Sequence, residues 1–156
     1  IWILNAIIAK KPRQIIFSGN MSSMGFSIPA AIGAKLANPN EKVISIVGDG
    51  GFQMSSSELA TIKENNIPII ICLFNNRSLG LIRQIQEVVY GRTFGVDYSN
   101  IPDYLKLAEA YGINAIRIDN PKEIIEVMNK ANEPTLIEIP ISKEEKVTIT
   151  KPRILE

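Results

Sequence analysis

KVISIVGDGGFQMSSSELATIKENNIPIIICLFNN, residues 42–76, decides the fold. It opens on a β-branched run, KVISIV at 42–47, and closes on PIIICLF at 68–74, the most apolar run in the chain. Residues that are apolar at every position mark strands covered on both faces, which is the habit of parallel sheets. Between the two runs, Ser55 with Glu58 fits a capping box and predicts a helix from Ser55 to about Asn65, broken by Pro68. Strand, helix and strand in that order read as a βαβ unit.

The pattern extends both ways. Upstream, QIIF at 14–17 is a short strand-like run, and residues 29–36 read as an alanine-rich helix with Pro29 in its first turn. Downstream come a helix over 79–90, a loop over 91–100, and a helix over 102–111 ended by Gly112 in a left-handed cap. INAIRI at 113–118 is a strand, Asn120-Pro121 opens another helix, and TLIEIPI at 135–141 is the last strand. Residues 142–156 read as a loose polar tail. This alternation predicts an α/β fold: a doubly wound, mostly parallel sheet with helices on both faces, in one domain. Ligands of such sheets bind beyond the carboxyl ends of the strands.

Composition narrows the function. A net charge of +1 gives no electrostatic case for nucleic acid or an anionic membrane. The chain has no histidine, which excludes histidine-based triads and zinc sites within it. The single cysteine, Cys72, suits a reducing compartment, so a cytoplasmic location is expected. It lies in the most apolar strand and reads as a buried inert thiol. The apolar start, IWILNAIIAKKPRQ, is too short to span a bilayer. We expect a helix there, around Trp2, packing on the rest of a longer polypeptide, because the chain opens on Ile1 rather than methionine.

The chemistry gathers at the two strand ends. Asp49 leaves one and Asn75-Asn76 the other. A carboxylate, an amide oxygen and a backbone carbonyl make a hard oxygen site that suits magnesium, which completes its octahedron with phosphate oxygens and water. Gly48, Gly50 and Gly51 allow close backbone approach, and the N–H groups of the following helix favour an anion. Ordinary turn chemistry accounts for Asp-Gly and Asn-Asn equally well on residues alone, so both readings stay open here. The stretch is neither a Walker A loop nor a G-x-G-x-x-G fingerprint.

The spacing adds a resemblance. GDG at 48–50, followed after 24 residues by Asn75-Asn76, resembles the thiamine diphosphate motif of thiamine-dependent decarboxylases and carboligases. NMSSMGFSIPAAIGAKLA at 20–37 and PDYLKLAEAYG at 102–112 are similar to the acetolactate synthase group. Over about residues 14–141 the chain resembles the C-terminal, diphosphate-binding domain of that group.

The resemblance implies magnesium held by the side chains of Asp49 and Asn76 and by the Ser78 carbonyl. It implies a diphosphate lined by the backbone of Gly50, Gly51, Gly80 and Leu81. Met24 would bend the cofactor into a V, with Ser22, beside Ser23, accepting from its pyrimidine amino group. For Met24 the alternative is core packing, and for the two serines plain loop polarity. No residue of this chain is given a catalytic role, because the activating glutamate of the family lies on a pyrimidine-binding domain from a partner subunit. At least a dimer and a 2-oxo acid substrate, pyruvate first, are therefore implied. FAD, where the group uses it, binds mostly through another domain.

Ile85 stands where biosynthetic members usually carry a tryptophan that helps select the second substrate. GLIRQ at 80–84 resembles glyoxylate carboligase, so another carboligase or a simple 2-oxo acid decarboxylase is the alternative, and an inactive cofactor-binding domain the non-enzymatic one. Arg77, Arg83 and Arg92 read as solvated charge or as a substrate-carboxylate partner, and residues 91–100 as a mobile lid or an ordinary surface loop.

Overall fold

A computed structural model describes residues 7–146 of the chain. Ten elements follow in order: α1 (Ser27–Ala37), β1 (Val43–Gly48), α2 (Asp49–Ser55), α3 (Glu58–Glu64), β2 (Ile69–Asn75), α4 (Gly80–Tyr90), α5 (Tyr104–Ala110), β3 (Asn114–Arg117), α6 (Pro121–Lys130) and β4 (Thr135–Pro140). The four strands form one sheet in the order β1-β2-β4-β3, and every pairing is parallel.

Burial explains that order. β2 and β4 lie in the middle and are buried almost throughout, as their apolar sequences require. β1 and β3 are the edges, and they expose Ile44 and Ile116. One face of β2, through Ile69, Ile71 and Leu73, packs against Ile28 and Ile32 of α1, Phe52 of α2, Leu59 and Ile62 of α3, and Tyr104 of α5. Phe52 meets Tyr104 edge-on, with ring centroids 5.3 Å apart. The other face, through Ile70 and Cys72, packs with Ile137 and Ile139 against Ile124, Val127 and Met128 of α6. Helices thus cover both faces, as expected of a doubly wound sheet.

Several caps match the sequence. Asn120 accepts from the Lys122 N–H at 3.2 Å, with Pro121 in the first turn of α6. Gly112, at φ 71°, ends the α5 turn in the left-handed region.

Five expectations are corrected. The helix after β1 begins at Asp49, not Ser55, and is broken in two at residues 56–57. No capping box forms: the Ser55 hydroxyl donates back to the Gly51 carbonyl at 3.1 Å, inside α2. QIIF is not a strand. It finds no ladder partner among the described residues, and Ile16 and Phe17 are exposed. Residues 7–10 are not helical, while residues 1–6 of that expected helix lie outside the described residues. The first part of the expected loose tail is fastened to α4: Arg83 donates to the Lys143 carbonyl at 2.9 Å and pairs with Glu144 at 3.2 Å, and Lys146 pairs with Glu87 at 2.7 Å. Residues 147–156 lie outside the described residues. Among those described, no helix is long and apolar enough to cross a membrane.

Candidate functional site

β1 and β2 are neighbours in register, with Gly48 opposite Phe74, so their exits emerge side by side. Asp49 follows β1 directly and is 2% exposed. Its Oδ1 accepts from the Gly50 N–H at 2.7 Å, and its Oδ2 accepts from the Ser78 N–H at 3.2 Å. The same Ser78 N–H lies 3.2 Å from Oδ1 of Asn76. One backbone N–H thus draws the carboxylate and the amide oxygen together. Arg77, at φ 56°, makes the reversal that permits this, a left-handed conformation costly for a side chain of its size.

The two asparagines of the pair divide their tasks. Asn75 turns towards the sheet and donates through Nδ2 to Oε1 of buried Glu138 at 2.6 Å, while its Oδ1 accepts from the Arg77 N–H at 3.1 Å. Asn76 faces Ser78 and Asp49.

Burial pushes the Asp49 carboxyl up, and the N–H groups of Gly50, Ser78, Arg77 and Asn76 work against that rise. Among the described residues no cationic side chain pairs with it. A buried carboxylate without a counter-charge, beside a second oxygen donor, fits a divalent cation. No group of three or more aspartate, glutamate, cysteine or histidine side chains gathers among the described residues, so Asp49 is not part of a carboxylate cluster. The donor set fits magnesium that arrives with the oxygens of a diphosphate.

Above this pair opens a cleft of about 440 Å³ lined by Met24, Gly50, Gln53, Met54, Leu79 and Tyr98. Gly50 is its floor. A Cβ there would lie 2.8 Å from Leu79 Cδ2, 3.0 Å from Met24 Cε and 3.2 Å from Tyr98 Oη. Gly51 has a different demand, since its Cβ would press on Val47 at 3.1 Å. Gly48 ends β1 in extended backbone. Gly80 and Leu81 open α4 partly buried, but their neighbour Leu79 is the one that lines the cleft. Ser22 and Ser23 are exposed outside it, on a turn where the Ser22 N–H donates to the Ser18 carbonyl at 3.0 Å.

Gln53, Met54 and Leu79 were absent from the residues picked out by sequence, and Tyr98 entered only as part of the 91–100 loop read as a lid or a surface loop. Gly50, Gln53 and Met54 are spaced i, i+3, i+4 and share a helix face. That spacing is a signal only once the helix is known to start at Asp49.

The loop at 91–100 is anchored at Phe94, whose N–H donates to Gln86 Oε1 at 2.9 Å, and again in its second half. The Leu79 N–H donates to the Val96 carbonyl at 2.8 Å, the Ser78 hydroxyl to the same carbonyl at 3.0 Å, and the Tyr98 N–H to the Arg77 carbonyl at 2.9 Å. Arg77 and Arg83 are engaged as well: Arg77 donates to the Ser99 carbonyl at 3.1 Å, and Arg83 faces Glu87, Asp97 and Glu144.

Residues 1–139 match the family described as thiamine pyrophosphate enzyme, C-terminal TPP binding domain. The chain belongs to this family. The probable acetolactate synthase large subunits of Methanococcus aeolicus and Methanocaldococcus jannaschii are similar to it at 44% and 48% identity, each over 97% of this chain and 26% of the relative. The acetolactate synthase large subunit of Lactococcus lactis is 48% identical over 94% of this chain and 26% of its own length. The thiamine pyrophosphate-binding domain therefore spans about a quarter of the curated relatives it matches.

Proposed function

We propose that the cleft takes the diphosphate end of thiamine diphosphate (thiamine pyrophosphate) through magnesium, held by Asp49, Asn76 and the Ser78 carbonyl. The observation that carries this reading is the meeting of Asp49 Oδ2 and Asn76 Oδ1 on the Ser78 N–H at the ends of two adjacent strands. When bound, the cofactor supplies an electron sink for decarboxylation of a 2-oxo acid.

The chain's own residues bind and orient. Asp49 contributes the negative charge a divalent cation needs, and its burial strengthens that attraction. Gly50 lets Leu79, Met24 and Tyr98 close on its backbone at the cleft floor, where a Cβ would meet all three. Met24 and Leu79 wall the cleft with apolar surface and keep water from the cofactor. Gly80, Leu81, Ser22 and Ser23 fit a longer ligand that reaches past the cleft to the start of α4 and to the turn before α1.

The names of the relatives support an acetolactate synthase-like activity for the longer protein, with pyruvate as donor. The pyrimidine side of the cofactor then belongs to another domain from a partner subunit, and the protein works as a dimer or larger. The test is to incubate the full-length protein with pyruvate, magnesium and thiamine diphosphate and to follow products by proton NMR. Acetolactate is expected. Acetaldehyde alone would make it a decarboxylase, and unconsumed pyruvate would contradict the choice of substrate.

A further inference from the structure

Two of the six side chains and backbone units that line the cleft carry polar side-chain atoms, Gln53 and Tyr98. They differ in what they already hold. Gln53 Nε2 donates to the Tyr104 hydroxyl at 2.7 Å, so its amide is committed to the core of the domain. The Tyr98 hydroxyl makes no hydrogen bond to any described residue. It stands at the cleft floor, 3.2 Å from where a Cβ on Gly50 would be.

Its backbone is fixed. The Tyr98 N–H donates to the Arg77 carbonyl at 2.9 Å, and the preceding residue, Asp97, forms an antiparallel bridge with Ser78. Asp97 is held in turn by Arg83, whose Nε lies 3.5 Å from its carboxylate. The ring therefore rises from a clip built on the same turn, Asn76–Arg77–Ser78, that gathers the oxygen donors. A phenol keeps its proton at neutral pH and can donate. Hydrogen bonds to charged acceptors are the strong ones, and an anionic oxygen in the cleft would satisfy this donor.

We infer that the Tyr98 hydroxyl is a ligand-binding group of this site, donating to a phosphate oxygen of a diphosphate bound in the cleft that Tyr98 lines. The inference rests on the proposed diphosphate reading of the cleft. It adds a side-chain donor from the loop after α4 to a site otherwise made of backbone, Asp49 and Asn76.

The test compares the full-length protein with its Tyr98→Phe variant, which keeps the ring and removes the donor. Calorimetric titration with thiamine diphosphate in magnesium should show affinity lower by about tenfold. Inorganic diphosphate with magnesium, used as a competitor, should lose the same factor. Unchanged affinity for both ligands would overturn the inference. So would a loss for thiamine diphosphate alone, because the hydroxyl would then act on another part of the cofactor. An Asp49→Ala variant run in parallel separates the two levels. If it binds as tightly as the parent, the diphosphate reading itself fails; if it loses binding while Tyr98→Phe does not, only the role of Tyr98 fails.

Discussion

Asn75 donates to Glu138 across 2.6 Å, joining the end of β2 to its neighbour β4 through two buried side chains. The bond holds the strand exit from which Asn76 and Ser78 are hung. Removing the donor would leave a buried carboxylate short of a partner, and a hydrogen bond to a charged group contributes about 1.5–3 kcal/mol. Asn75→Ala should therefore lower unfolding stability by about 2 kcal/mol in denaturant titrations. Asn76→Ala, at a part-buried position, should leave stability nearly unchanged and weaken magnesium-dependent cofactor binding instead.

Asp49 should behave in the opposite sense. Burial raises its pKa in the fold, so the folded state holds the proton longer than the unfolded chain does. Stability of the cofactor-free protein then falls as pH rises through the range where Asp49 ionises. Asp49→Asn removes that ionisation. In chelator, the variant should melt no lower than the parent at neutral pH and should lose part of this pH dependence. With magnesium and thiamine diphosphate present, the order should reverse, because only the parent gains from the ligands.

Gly50→Ala separates space from stability. The added Cβ would meet the tips of Leu79 and Met24, which can swing aside, and alanine favours a helix over glycine by about 1 kcal/mol. Unfolding stability should change by no more than about 1 kcal/mol. Affinity for thiamine diphosphate should drop by at least about tenfold, since the cleft floor is raised.

The sheet was legible because β2 is apolar from Ile69 to Phe74 and β4 breaks its apolar run only at Thr135 and Glu138, a signal that survives without tertiary context. The end caps at Asn120 and Gly112 were legible because they depend on one or two residues. QIIF misled because an apolar run becomes a strand only when a ladder is there to pair with it. The helix at Asp49 was hidden by its glycines, which suggest a turn. The packing of Phe52 against Tyr104 supplies what helix propensity withholds. That Asp49 and Asn76 lie side by side was readable from the two strand ends they follow. The 91–100 loop was read as a lid or a surface loop, but the place of Tyr98 in the cleft was not readable, because backbone bonds from Arg77 and Leu79 set it, and such bonds leave no mark on side-chain identity.

Cys72 offers a check on the packing of the sheet. Burial pushes its thiol up to about 11, and it lies between β1 and β4 in the register of the sheet. Ellman's reagent should leave the folded protein unmodified at mildly alkaline pH and titrate Cys72 fully in denaturant. Rapid labelling of Cys72 in the folded protein would contradict the packing on the α6 face.

The most direct test of the central claim is calorimetric titration of the full-length protein with thiamine diphosphate, with magnesium present and with it chelated, for the parent and for Asp49→Asn. The account predicts binding by the parent in magnesium, little binding in chelator, and little by the variant in either condition. Equal binding by parent and variant, or binding by the parent that ignores the metal, would contradict it.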